Sequence, residues 1–471
     1  MTARTTFSTI LAASLLSASV AFAQQAPANK PANKPADSTP ATAAGTTDSS
    51  KTDSKAAKPA SFSYAPQIGI QRLRPVDQRG INVFETPKTD AVPYTGFKLE
   101  WGAAFTQQFQ DLDHSNTASP RMVGGTNMNQ PVSIGAGFNN ANANLYMNAQ
   151  LAPGIRVALT SYMSSRHHNE MWVKDGYLLI DESPIKVKAL ETLMQYVTVK
   201  AGHFEVNYGD AHFRRTDNGN AMYNPLVGNY IMDAFTTQIG GEVLFRKGAF
   251  LAMGGVTGGE VRGVVRTPEK RAPAFLGKIG FDKQFTPMVR VRLTGSMFSQ
   301  SKSANNTLYT GDRAGSRYYS VMDSVTSSEA SQAWSGALQP GFSSKVQANV
   351  INPFVKVGGL ELFGNIETAK GGAATETVDR EWKHNAYEAT YRFLKDQLYV
   401  AARYNTAKGR LPKIANDVSL DRSQFGGGWF ITPNVMLKTE YVTQKYNDFP
   451  VNDIRNGGKF KGFVVEGVVA F

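Results

Sequence analysis

From Phe97 to the last residue the chain repeats one pattern, segments of about ten residues in which apolar and polar side chains alternate. The clearest are Leu99–Phe109, Asn144–Leu151, Ile155–Met163, Tyr196–His203, Thr237–Phe245, Phe275–Phe281 and Val289–Met297. The series continues through Val346–Phe354, Leu360–Ile366, Asn385–Phe393, Leu398–Tyr404, Gln424–Ile431, Val435–Thr443 and Phe460–Phe471. Two fainter segments, Trp172–Ile180 and Ala249–Val256, complete a set of sixteen. A strand sends successive side chains to opposite faces, so each segment predicts a strand with one apolar and one mixed face. Ten residues tilted by about 45° match the hydrocarbon thickness of a bilayer.

The connections sharpen this. Ala152-Pro153-Gly154, Lys247-Gly248, Thr286-Pro287, Gly358-Gly359, Lys395-Asp396 and Thr432-Pro433-Asn434 are tight and rich in turn formers. Between them lie long polar links: 110–140, 205–236, 258–273, 300–344, 370–383, 408–421 and 446–459. Links short on one side and long on the other suit an antiparallel up-and-down β-barrel that crosses a membrane, and a soluble sandwich has no reason for them. The faces Leu99-Trp101-Ala103-Phe105, Val289-Val291-Leu293, Tyr387-Ala389-Tyr391-Phe393 and Val435-Leu437-Thr439-Tyr441 carry no charge, and aromatics gather toward segment ends as interface girdles.

The two ends agree. Residues 1–23 read as a secretory signal: Arg4, a short apolar run from Ile10 to Val20, then Ala21-Phe22-Ala23 as a cleavage site. The chain has no Cys, so no disulfide braces an exported fold. Residues 24–60 are low complexity in Ala, Pro, Lys, Ser and Thr, and predict a disordered periplasmic tether. Residues 61–96 hold Ile68-Gly69-Ile70 and Ile81-Asn82-Val83-Phe84, expected as short ordered pieces of a periplasmic lead-in to the barrel at 97–471. The last segment places Phe463, Val465, Gly467, Val469 and Phe471 on one face, with Glu466 on the other. It resembles the closing strand of bacterial outer-membrane barrels, in which the terminal aromatic, here Phe471, is read by the insertion machinery.

The inner alternates are mixed in charge. The basic ones include Arg156, Lys200, Lys278, Arg290, Arg292, Lys345, Arg392, Arg403 and Lys438; the acidic ones include Glu242, Glu388, Glu440 and Glu466. About sixteen strands leave room for an aqueous channel, where eight would be filled by side chains. The link after the fifth segment carries the densest cluster, Asn207 to Asn220 with Asp210, His212, Arg214, Arg215 and Asp217.

In strand number, loop order and terminal Phe, residues 97–471 resemble the sixteen-stranded porin superfamily, including its phosphate-selective branch. The resemblance implies a third long loop folded inward, with Arg214, Arg215, Asp210 and Asp217 near the constriction. It also implies a homotrimer in the bacterial outer membrane that passes small hydrophilic solutes. The net charge of +12 and the two arginines point to weak anion preference and to contact with outer-membrane lipid and lipopolysaccharide, although the many acids depart from a purely cationic filter. No basic helix or zinc motif suggests nucleic acid. Two other readings are an adhesin or receptor with binding outer loops and a plugged lumen, and an outer-membrane hydrolase. No catalytic grouping stands out, no cofactor is implied, the His167-His168 pair of an outer loop reads as solvated ahead of metal-binding, and Asp217-Asn218-Gly219-Asn220 lacks the spaced carboxylates and distal Glu of a calcium loop.

Overall fold

The computed structural model describes residues 70–471, apart from 71, 87, 89–93, 168–169, 260–266, 311–318 and 329–335. The signal and tether expected at 1–60, Ile68 and Gly69 of the lead-in, and His168 lie outside the described residues.

Sixteen antiparallel strands close into one barrel. They are β1 Lys98–Ser115, β2 Gly137–Ala152, β3 Ile155–Ser164, β4 Trp172–Ile180, β5 Val197–Glu205, β6 Thr237–Lys247, β7 Phe250–Thr257 and β8 Ala274–Thr286. The second half is β9 Val289–Gln300, β10 Lys345–Val357, β11 Leu360–Gly372, β12 Arg380–Phe393, β13 Leu398–Gly409, β14 Val418–Thr432, β15 Val435–Asn447 and β16 Lys459–Ala470. Each strand pairs with its sequence neighbour, and β1 pairs with β16 from Ala104↔Ala470 to Ser115↔Lys459, so no sheet edge remains.

The strands form where the alternation predicted them, and many run past the expected ends on the long-link side. There the outward residues turn from apolar to charged: Asp111 and Asp113 on β1, Lys370 on β11, Lys383 on β12 and Lys408 on β13 are exposed. The ladder continues beyond the apolar belt because pairing needs only backbone groups. The belt itself includes Trp101, Phe105, Phe275, Ile279, Leu293, Tyr387, Val400, Phe425 and Phe463, all exposed. An apolar surface of that extent is rare on soluble monomers and suits lipid. Among the described residues no helix is long and apolar enough to cross a membrane.

Most tight links use left-handed backbone, as at Gly154 (φ 67°), Gly248 (φ 60°) and Gly358 (φ 57°). Two links break the alternation. The β3–β4 link, 165–171, is short, and the β4–β5 link, 181–196, is long and contains a helix, α1, Lys188–Met194, with no buried residue.

Candidate functional site

The barrel is not hollow. Among the described residues three segments enter it, and each is held by side chains that alternation turns inward. The first is the β5–β6 link, 206–236, the third long loop, whose Leu226 and Ile231 are fully buried. Its tip is tied to β2, where Asn218 Nδ2 donates to the Ala143 carbonyl (2.9 Å) and Gly219 N donates to Asn144 Oδ1 (2.9 Å). Three strands round the wall, on β15, Lys438 Nζ donates to the carbonyls of Ala221 (2.9 Å), Asn224 (3.0 Å) and Leu226 (2.8 Å), and pairs with Glu466 (3.0 Å).

The second is the β9–β10 link, 301–344. Tyr309 donates to Glu367 (2.6 Å), Tyr319 donates to Glu440, and Leu338 N donates to the Ile231 carbonyl (2.7 Å). The third is the lead-in, Arg72–Thr86 with Lys88, which enters from the short-link end. Gln78 N donates to the Pro433 carbonyl (3.0 Å) in the β14–β15 turn. Asn82 Nδ2 donates to Glu361 (2.7 Å), and Arg290 donates to the Asn82 carbonyl (2.9 Å). Glu85 receives Lys278 (3.0 Å) and Arg292 (2.6 Å). Burial would push the Glu85 carboxyl up, but these two cations outweigh it and hold it well below its ordinary 4.5. Lys88 donates to the Asp181 carbonyl (2.6 Å), and burial lowers its ammonium to about 8. The sequence hint of this insertion was Ile81-Asn82-Val83-Phe84, expected as a short ordered piece well before the first strand.

The four residues expected at a constriction separate into two pairs. Asp210 is wedged between Lys278 (3.0 Å) and Arg292 (2.7 Å) and receives the Thr294 hydroxyl (2.8 Å). Arg214 reaches Glu388 (2.5 Å) and donates to Asn82, with Phe363 5.1 Å from its guanidinium. Both are buried against the β8–β12 wall. Arg215 and Asp217 instead border open space beside β2–β5. There Arg215 pairs with Asp233 (2.7 Å), and Asp217 with Lys174 (2.9 Å) and the Tyr162 hydroxyl.

Of the wall residues, Arg156 pairs with Asp181 (2.5 Å), Lys200 with Glu242 (2.9 Å), Arg290 with Asp282 (2.8 Å), Arg392 with Glu361 (2.9 Å) and Arg403 with Glu388 (2.6 Å). Glu440 receives the backbone N–H of Val227 (2.7 Å). Lys345 is a correction. It stands on the outward parity of β10, half exposed and paired with Asp379 (2.6 Å), while Val346, Ala348 and Val350 face in beneath the β9–β10 link. At that height the covering link makes the inner face apolar, so polarity no longer marks the inside. Much of the channel that sixteen strands leave room for is filled, and the wall charges there form ion pairs buried beneath the inserted segments.

Open space survives on one side. A cavity of about 260 Å³ at the short-link mouth is lined by Leu73, Arg74, Val76, Asp77, Glu100, Tyr146, Asn148 and Phe471 among others. A second, about 220 Å³, shares Leu73, Arg74, Val76, Tyr146 and Asn148 with it and runs along β2–β5 beside the third loop. Its charged lining is Arg74, Lys174, Lys200 and Arg215 against Asp175, Glu205 and Asp217. His212 bridges Glu205 (3.0 Å) and Asn207 (3.1 Å), and burial lowers its pKa below 6.5. A larger concavity, about 510 Å³, lies outside the barrel across β10–β14, among Leu362, Gly364, Tyr387, Ala402 and Phe425. With almost no polar lining, it is a crease in the apolar belt and not a solute site.

No protein-family model and no curated protein matches the chain. Among solved structures it is similar to the outer-membrane protein OmpT of Vibrio cholerae (9% identity, 81% of this chain and 100% of that one, TM-score 0.47). It is similar to an anion-selective porin from Comamonas acidovorans (11% identity, 80% and 100%, TM-score 0.46). A third is the outer-membrane channel DcaP of Acinetobacter baumannii (9% identity, 80% and 99%, TM-score 0.47).

Proposed function

We propose that the protein is an outer-membrane porin that passes small hydrophilic solutes along the β2–β5 side of its lumen. The observation that carries this reading is the pair of adjoining polar cavities inside a closed barrel whose outer belt is apolar. Solutes enter at the mouth beside Arg74 and pass Arg215 and Asp217, which act as the constriction on this reading. Four cations against three acids give weak anion preference in this low-dielectric passage. The long links face outward from the cell, the lead-in enters the lumen from the periplasmic side, Phe471 serves insertion, and three copies assemble among lipopolysaccharide.

Purified protein in a planar bilayer is expected to give small stepwise conductances. Under a salt gradient the reversal potential is expected to favour anions slightly, and Glu205→Gln with Asp217→Asn to favour them more. Silence across voltages would sink the channel reading, and cation preference would sink the selectivity alone.

A receptor or adhesin barrel is the second reading, favoured by one observation: the third loop, the β9–β10 link and the lead-in all occupy the lumen. It predicts no conductance from an intact barrel.

A further inference from the structure

Glu85 is held like a bound ligand. One oxygen receives Lys278 Nζ (3.0 Å) and Asn207 Nδ2 (3.2 Å), the other Arg292 Nη2 (2.6 Å), and Arg246 donates to the Glu85 backbone carbonyl. The receiving wall, β6, β8 and β9, brings four cations together: Arg246, Lys278, Arg290 and Arg292. Their other acidic partners are Asp210 and Asp282. Lys278 and Arg292 have no exposed side-chain surface while Glu85 is in place. With it gone, four cations, two of them fully buried, would face two carboxylates, a surplus that desolvation makes costly.

We propose that this wall is a binding site for small carboxylate anions, and that Glu85 occupies it as a tethered stand-in, so that free carboxylates and the lead-in compete. The inference rests on the lumen being a solute path. Two oxygens held from two sides by an ammonium and a guanidinium are a geometry any free carboxylate can repeat. The lead-in is the movable partner, since Asn82 and Glu85 belong to a loop segment and the four cations to the barrel wall. Its other ties, Gln78 to Pro433 and Arg74 over the Tyr223 ring (3.6 Å), fasten it at the mouth, so leaving the wall does not require leaving the barrel.

Because the chain has no Cys, Val83→Cys gives one reporter on the segment. Full-length Val83→Cys protein in detergent would be labelled with a membrane-impermeant maleimide, in succinate and in sodium chloride of equal ionic strength. Succinate is expected to speed labelling by about threefold or more over chloride, by mass action on the vacated wall. Adding Glu85→Gln is expected to speed labelling roughly tenfold in chloride and to remove most of the succinate response. Equal rates in succinate and chloride overturn the proposal. That comparison keeps the native Glu85, so it stands even where the Gln variant does not fold. Bilayer recording separates the two claims: a succinate response without conductance sinks the channel reading, and conductance without the response sinks this one.

Discussion

Lys438→Met should release the third loop from the wall. Lys438 is fully buried, holds three loop carbonyls within 3.0 Å and neutralises Glu466, itself without exposed surface. Methionine keeps the length and apolar stem but removes the charge and every donor. Removing one partner of a buried pair costs about 3–5 kcal/mol, mostly from the carboxylate left behind. The three carbonyls add a smaller loss, about 1–3 kcal/mol, because an unpaired carbonyl can relax toward water as the loop lifts. The total is capped by whatever holds the loop, since a detached loop has nothing further to lose. The strands keep their ladders, so the barrel itself is expected to form. Guanidinium unfolding from lipid vesicles, followed by tryptophan fluorescence, should show a lower midpoint, and bilayer recording larger conductance steps. The double variant Lys438→Met with Glu466→Leu removes the stranded charge and should recover about 2 kcal/mol of the loss. If the single variant matches the parent, or the double is no better than the single, the stranded-charge argument is wrong.

Three further outcomes are expected. The pKa of Glu85 is depressed on seating, so its contribution is complete above pH 4.5 and fades as pH falls below that value toward the depressed pKa. A spin label at Val83→Cys should therefore gain mobility only below about pH 4.5, with Glu85→Gln flat, and a gain between pH 7 and 5 would count against it. Gly219→Ala places a Cβ 2.6 Å from the Ala104 carbonyl oxygen and from Ala143 Cα. Backbone cannot yield there, so the loop tip should lift at about 1–3 kcal/mol, read as faster proteolysis of 206–236 in folded protein. Ile279→Arg, in the middle of β8 on the exposed belt, should cost about 2–4 kcal/mol in vesicles, and no cost would argue that this face does not meet acyl chains.

The barrel was legible because its signals are local. Alternation in Val289–Met297 or Asn385–Phe393 states which side chains share a face, and turn formers such as Ala152-Pro153-Gly154 state where the chain reverses. Closure then follows from backbone groups that need partners, and β16 meeting β1 supplies them. The third loop was marked by its length and its charges, although not by which wall each charge would meet. Arg214 and Arg215 are adjacent in sequence, yet one pairs with Glu388 on β12 and the other with Asp233 of its own loop.

What fills the lumen was settled only in three dimensions. Glu85 meets Arg292, Asn82 meets Glu361, and Tyr319 meets Glu440, contacts that join residues far apart in the chain. No periodicity records such partners, because they are chosen when an inserted segment meets the inward side chains of the closed wall. The same cause misplaced Lys345. Polarity marks the inside only where water or charge lies within, and an inserted link had made the inner face at that height apolar. Strand parity is a property of neighbouring residues and can be read along the chain, whereas the occupant of the lumen depends on segments that compete for one enclosed space.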